Sequence, residues 1–350
     1  MDVETVVIGG GQAGLAAGYH LARRGREFVI LDAGERVGDS WRNRWDSLRL
    51  FTPAGYSHLP GMPFPEQREV FPTKEQVADY LDGYAEHHRL PIEHRTRVTR
   101  LKRAGTEFLI TAGRRCWRGR NVIVATGAHA VPRIPASATQ LDPAITQLSS
   151  VDYRNPAQVR PGQALVVGAG NSGAEIAIDI ATRSGDVQVW LAGRDVGYVP
   201  SVGLSNAVFP LILLAGNWGA RLVERTLNGR ADPLGRVRPG DFAKAGVVRV
   251  PRVTGIRDGT PLLADGRVVD AATVVWCTGL RPDHSWIQLP VIDDDGRIRH
   301  VRGVTKQPGL YVLGLPFQSR ITSHLLGGVG ADAQDIVAHL TARSSAHSAA

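Results

Sequence analysis

The chain has 350 residues, enough for about two domains with ample core, so a one-domain binding module is excluded. With 43% hydrophobic and 21% charged residues, 40 Gly and 21 Pro, its make-up is that of a globular protein, not of a fibrous, collagenous or disordered one. The 41 basic and 33 acidic residues leave a net charge of +8, carried almost wholly by arginine, since the only lysines are Lys74, Lys102, Lys244 and Lys306. The densest basic stretch, Arg114 to Arg120, reads as a solvated strand edge, so nucleic acid is not an expected partner. Cys116 and Cys277 lie far apart and outside any C-x-x-C pattern; no metal site, dithiol centre or disulfide framework is expected, and the compartment should be reducing. The N-terminus runs straight into an apolar strand without a basic leader, so no export is expected. The longest strongly apolar run, around Leu211 to Ala215, falls short of the ~20 residues of a membrane span, and the expected location is cytoplasmic.

Taken in chain order, Thr5 to Ile8 is an apolar, β-branched strand followed by the turn Gly9-Gly10-Gly11-Gln12-Ala13-Gly14 and a helix from Leu15 to Arg24. A second strand, Phe28 to Leu31, ends on Asp32 and completes a β-α-β unit with parallel strands. Val122 to Val124 is a buried strand closed by Ala125-Thr126-Gly127. Pro-rich connections at Val131 to Pro135 and near Pro156 and Pro161 are candidate hinges. The first pattern then recurs: a strand Ala164 to Val167, the turn Gly168-Ala169-Gly170-Asn171-Ser172-Gly173, a helix to Thr182, and a strand Val187 to Leu191 that ends near Arg194. Within Gly197 to Asp241, the apolar stretch Val208 to Leu214 reads first as core, with a substrate channel or a homodimer contact as the other readings. Thr273 to Trp276 is a further buried strand, closed by Cys277-Thr278-Gly279, and Arg281-Pro282-Asp283 marks a return hinge. The polar tail from Ser344 to Ala350 is expected to fray.

In a G-x-G-x-x-G turn the first glycine permits the bend, the second lets backbone approach a pyrophosphate, and the third packs helix on strand; the helix N-terminus favours the anion. Gly9, Gly11 and Gly14 meet this spacing in the full strand–turn–helix–strand context, and Asp32, beside Ala33, is placed to accept from ribose hydroxyls. Gly168, Gly170 and Gly173 repeat it, with Asn171 and Ser172 inside the turn and Arg194 where the first unit has its acid. An acid there would repel a 2′-phosphate, whereas a guanidinium binds one bidentately, so NADPH is expected in the second site. Two dinucleotide sites without a metal or thiol pair point to electron transfer between bound cofactors, with FAD in the first. The expected fold class is α/β, with two Rossmann-like dinucleotide-binding domains.

With these residues in place, the chain resembles the class B flavin-dependent monooxygenases: the flavin-containing, YUCCA-type and Baeyer–Villiger group. The resemblance covers nearly the whole chain. It rests on both glycine turns, on Gly38-Asp39-Ser40-Trp41-Arg42-Asn43-Arg44-Trp45-Asp46-Ser47-Leu48, similar to the family's G-G-x-W-x-x-R-Y-x-x-L stretch, on the two Thr-Gly segments, and on Gly309 to Gly314. It implies a glutathione-reductase-like arrangement in which an NADPH domain, residues 158–278, is inserted into an FAD domain of residues 1–157 and 279–350. It further implies that Val98 lies against the adenine, that Thr126-Gly127 and Thr278-Gly279 mark the crossings between domains, and that Gly314 and the helix entered at Leu326 stand near the flavin. The sequence departs from the family at Pro53, which follows Thr52 in place of an Asn, and at Pro143, Ile145 and Ser149 of the linker fingerprint. The missing C-x-x-C and the Leu315 after Gly314 favour the monooxygenase branch over the disulfide reductases.

The chemistry so implied passes hydride from NADPH to FAD, adds O2 to form a C4a-(hydro)peroxyflavin, and transfers one oxygen atom to a small organic substrate. Trp41, Arg44 and Trp45 are the candidates for the flavin face, with Arg44 supplying positive charge to a developing peroxide anion. The competing reading makes the tryptophans core residues and Arg44 a structural ion-pair partner. His58 and His324 receive no catalytic role. The alternative function is a reductase that passes electrons to a quinone or a carrier protein.

Overall fold

The structure, a computed structural model, describes residues 1–198 and 233–348. The chain opens with β1 (Asp2–Ile8), α1 (Gln12–Ala22) and β2 (Phe28–Leu31), then α2 (Asp39–Arg42), α3 (Lys74–His87) and β3 (Ile92–Glu93). A hairpin of β4 (Arg100–Ala104) and β5 (Glu107–Ala112) leads into β6 (Arg115–Val124). β7 (Val131–Pro132) and β8 (Thr146–Ser149) precede the second β-α-β unit, β9 (Gly162–Val167), α4 (Asn171–Arg183) and β10 (Val187–Ala192). After residue 232 come α5 (Pro239–Lys244), β11 (Val248–Val250), β12 (Val253–Arg257), β13 (Thr260–Leu263), β14 (Thr273–Trp276), β15 (Leu280–Arg281), β16 (His300–Val301), β17 (Val304–Thr305), β18 (Leu310–Val312) and α6 (Leu326–Ser348). The apolar stretch Val208 to Leu214 lies outside the described residues.

Each unit is built on a parallel sheet. In the first, β3, β2, β1, β6 and β18 run side by side, with β17 and β16 added antiparallel beyond β18. The second is β11-β10-β9-β14-β8, parallel throughout. β14 is buried throughout, and β1 and β9 over their last four residues, because helices and loops cover both faces. β6 forks the first sheet: its first half pairs with β5 and its last residues with β18, while β1 runs along its other side. The arginine-rich stretch is therefore an interior strand and not the edge expected from sequence. Strand alternation still sends Arg118 and Arg120 to solvent and buries Trp117, while Arg115 at the start of the strand is exposed beside the Trp117 ring.

β8 pairs with β14 inside the second sheet, so that sheet already draws on residues that precede the boundary expected at 157. The outgoing and returning crossings meet as a two-stranded ribbon, β7 against β15, closed by Arg133 N–H donating to the Gly279 carbonyl at 2.9 Å. The candidate hinges at Val131 and Arg281 are thus hydrogen-bonded partners, although the sequence separates them widely.

α1 packs between the first sheet and α6, and its Gly18 lies so near Ile30 that a Cβ would stand 2.9 Å from the Ile30 side chain. α3 starts on a capping box, with Thr73 accepting from Gln76 N–H at 3.2 Å and Gln76 accepting from Thr73 N–H at 2.9 Å. α6 buries Leu326, Val329, Ala333, Ile336, Val337 and Leu340, a helical stripe, against this core. It runs on to Ser348, so the tail from Ser344 is helical where fraying was expected. Ala and Ser cost a helix little once it is anchored. Among the described residues no helix is long and apolar enough to cross a membrane.

Candidate cofactor-binding site

The first glycine turn sits at the carboxyl ends of β1, β2 and β6. Gly9 has φ +110°, and a Cβ on it would lie 2.6 Å from the Ala125 carbonyl oxygen, so only glycine lets the turn rest on the chain leaving β6. A Cβ on Gly14 would stand 1.8 Å from the Gly9 carbonyl oxygen. Gly11 differs. Its φ of −79° suits any residue, and nothing lies within 4 Å of where its Cβ would be. It caps α1 without a side-chain hydrogen bond and with no acid in the first turn, which leaves open backbone before a positive helix end. That is the form a pyrophosphate requires, and the residues present fit a dinucleotide.

Around this turn the structure gathers most of the residues expected there. Asp32 ends β2 with its backbone tied to Glu93 and Thr96 at 2.9 and 2.7 Å, while no hydrogen bond or ion pair among the described residues engages its carboxylate. Ala33 beside it is exposed. The Thr96 link carries the following segment past β2 and seats Val98 in the core with Ile8 and Leu31. Thr126 N lies 3.2 Å from the Gly9 Cβ position, and Gly127, with φ +73°, turns the chain away. Gly314, φ +84°, approaches so closely that its Cβ would be 2.7 Å from Ala13 Cβ. Gln12 Nε2 donates to the His324 carbonyl at 3.2 Å, which brings the Leu326 end of α6 beside α1.

The second turn repeats the first contact by contact. Gly168 has φ +109° with its Cβ position 2.2 Å from the Cys277 carbonyl oxygen and 3.2 Å from Thr278 N; a Cβ on Gly173 would be 1.8 Å from the Gly168 carbonyl oxygen. Gly170 caps α4 at φ −75°, again without a side-chain bond. Gly9 N–H donates to Leu31 and Gly168 N–H to Ala192, at 2.9 and 2.8 Å. Thr278 Oγ donates to the Arg133 carbonyl, and Gly279, φ +95°, starts the crossing. Ser172 is half-buried in the first turn of α4. Asn171 has its amide occupied, donating to Pro233 O at 3.2 Å and accepting from Gly235 N–H at 3.0 Å.

Arg194 is exposed beyond β10, with no ion pair to a protein acid among the described residues; the neighbouring Asp195 carboxylate accepts instead from Gly197 N–H at 2.9 Å. Arg249, which the sequence did not single out, donates to the carbonyls of Gly193 and Arg194 at 3.2 and 3.4 Å and props the same turn.

Trp41 and Arg44 stand at the seam between the units. Trp41 packs, partly buried, against both the first core and the second, and Trp45 is 5% exposed in the second. Arg44 is half-buried, has no acidic partner among the described residues, and is held below the ordinary arginine range first by burial and then by Arg154. Trp45 thus lies in a core, and among the described residues no acid pairs with Arg44. Phe51 meets Gly235 across this seam, at 3.2 Å from its Cβ position.

Buried charges that escaped the sequence reading include Glu175 and Lys74. Glu175, on α4, faces Arg236 at 3.2 Å, yet burial pushes its carboxyl up to about 7 against that pairing. Lys74, 4% exposed, donates to the carbonyls of Arg42 and Arg44 and to Asp46. Their signals were an acid between Ala174 and Ile176 on an apolar helix face, and one of four lysines in an arginine-rich chain. Cys116 and Cys277 are both free, on strands of different sheets or beside them, and burial pushes the Cys277 thiol up to about 12.

Comparison with known proteins agrees with this duplicated geometry. Residues 6–210 match the family model described as pyridine nucleotide-disulphide oxidoreductase. A CzcO-like oxidoreductase of Geobacillus kaustophilus is 38% identical over 96% of this chain and 97% of its own length. A probable indole-3-pyruvate monooxygenase, YUCCA7 of Arabidopsis thaliana, is 29% identical over 97% of this chain and 87% of its own. Among solved structures, a flavin-containing monooxygenase from Stenotrophomonas maltophilia superposes with a TM-score of 0.79 at 29% identity, over 98% of this chain and 99% of that one. The likeness to flavin monooxygenases and the two-unit α/β architecture hold over nearly the full length. With a family model matching more than half of the chain and a relative of this identity along almost all of it, the chain belongs to the pyridine nucleotide-disulphide oxidoreductase family.

Proposed function

We propose that this chain is a flavoprotein monooxygenase that holds FAD on the first glycine turn and NADPH on the second, and delivers one atom of O2 to a small organic substrate. The observation that carries the reading is the doubled geometry: Gly9, Gly14 and Ala125 in one unit, Gly168, Gly173 and Cys277 in the other, each with a glycine, Gly11 or Gly170, as the N-cap of a helix that no side chain caps. The FAD unit is then residues 1–157 with 279–350, lending β8 to the sheet of the NADPH unit, 158–278. Bound flavin supplies the capacity to accept a hydride and to react with O2.

The chain's own residues bind, orient and exclude water. The N–H groups after Gly11 and Gly170 receive pyrophosphates, Asp32 accepts from a ribose hydroxyl, and Arg194 takes the 2′-phosphate. Trp41 and Trp45 close the seam against water, and Arg44 places there a positive charge that no acid among the described residues pairs with. The likeness to a YUCCA monooxygenase and to a bacterial flavin-containing monooxygenase supports oxygenation. So does the location of the two cysteines, Cys116 on β6 of the first sheet and Cys277 just past β14 of the second, where they offer no dithiol. The cytoplasm is the proposed location.

The test is direct. The purified protein, loaded with FAD and reduced anaerobically by NADPH, should show a transient absorbing species on admission of O2, and NADPH use coupled to product in a screen of amines, sulfides, ketones and 2-oxo acids. Direct reoxidation with no transient, together with fast turnover on a quinone, would assign the chain as a reductase instead.

A further inference from the structure

Lys74 lies at the first position of α3, 4% exposed, and spends its three donors on one turn: the Arg42 carbonyl at 3.1 Å, the Arg44 carbonyl at 2.8 Å and Asp46 Oδ1 at 3.1 Å. A lysine this buried is unusual, and its charge is met by these three oxygens together with Glu75 Oε1 at 3.3 Å. The turn it grips carries Arg44, whose guanidinium no acid or hydrogen bond holds among the described residues, and Trp45, which packs in the second core. The grip extends beyond the turn. Asp46 Oδ2 accepts from Asn155 Nδ2 at 2.9 Å and Asp46 N–H donates to the Arg154 carbonyl at 2.7 Å, so the turn is pinned to the chain that enters β9.

A half-buried arginine without a partner has no reason of its own to keep one position, since its long side chain gains entropy by moving. Here the constraint comes from the backbone. With the carbonyls on either side of Asn43 fixed by one ammonium, the Cα of Arg44 cannot drift.

We propose that Lys74 is the positioning residue for Arg44: it clamps the turn 42–46 so that a guanidinium with no partner among the described residues is presented at the seam between the two nucleotide sites, and Asp46 ties the clamp to the segment 154–155 that leads toward β9. This rests on the reading of the first turn as the flavin site, and two measurements separate the failure of one from the failure of the other.

The first needs no cofactor. Amide hydrogen exchange over residues 42–46 of the full chain should lose about tenfold or more of its protection in Lys74→Met, and less in Asp46→Asn, which keeps both carbonyl contacts. Unchanged protection in both overturns the clamp, and should Lys74→Met fail to fold, Asp46→Asn decides it.

The second reads the midpoint potential of bound FAD. A nearby positive charge favours the reduced, more negative ring, so Arg44→Gln should lower the potential. Lys74→Met should lower it too in the wild-type background and add nothing in the Arg44→Gln background. Additive shifts, or no shift where exchange shows the turn released, overturn the positioning of Arg44. A wild-type chain that takes up no FAD overturns the flavin reading, while the exchange experiment still decides the clamp.

Discussion

Arg236 Nη2 lies 3.2 Å from Glu175 Oε1, and the pair is so enclosed that the Glu175 side chain keeps 8% of its exposure. Desolvation outweighs the attraction, and the carboxyl rises from 4.5 to about 7 in the fold. The folded state therefore binds a proton here that the unfolded state has lost, and the stability this brings is complete below pH 4.5 and gone above about 7.

The first prediction follows from that sign. Between pH 4.5 and 7 the wild type should lose stability relative to Glu175→Gln, which can still accept from Arg236 but does not titrate, by up to roughly 3 kcal/mol at about 1.4 kcal/mol per pH unit. Denaturant midpoints of the two proteins across this range check it; parallel curves would show that Glu175 titrates as it does in the unfolded chain.

Gly11 and Gly14 should respond oppositely to alanine. A Cβ on Gly14 meets backbone at 1.8 Å, so Gly14→Ala should cost about 3 kcal/mol or more, or prevent folding. Gly11→Ala meets nothing within 4 Å of protein and should cost under about 1 kcal/mol, yet abolish tight FAD binding. Thermal melts of the cofactor-free chains, set beside FAD titrations by fluorescence quenching, separate the two effects. Equal FAD affinity in Gly11→Ala and wild type would remove the first turn as the pyrophosphate site.

Asp32 has no protein partner for its carboxylate among the described residues, so its removal should leave the bare fold alone. Asp32→Ala is expected to weaken FAD binding by about tenfold to a hundredfold, the worth of a charge-assisted hydrogen bond, with the melting temperature of the cofactor-free protein unmoved. A calorimetric titration of FAD into both proteins provides the comparison.

Arg194→Ala should raise the KM for NADPH about tenfold or more and leave that for NADH unchanged, since the lost contact is to the 2′-phosphate alone. Arg249→Met, which removes the hydrogen bonds to the Gly193 and Arg194 carbonyls, should produce the same selective change at smaller size. A preference for NADPH that survives Arg194→Ala would assign the phosphate to other groups.

Both glycine turns, the strands and helices flanking them, Asp32 and Arg194 were legible in the sequence because each is a local feature: spacing within six residues, apolar periodicity, and a charge at a strand end. The tertiary structure decided the rest. That Gly314 touches Ala13, that Val131 pairs with Arg281, and that β6 is interior all depend on segments distant in sequence coming together. The charges at Lys74 and Glu175 look like surface charges when read along the chain. Their meaning comes from what surrounds them, since the cost of burying a charge, and the partners that offset it, are set by the neighbours folding brings and not by the residues on either side.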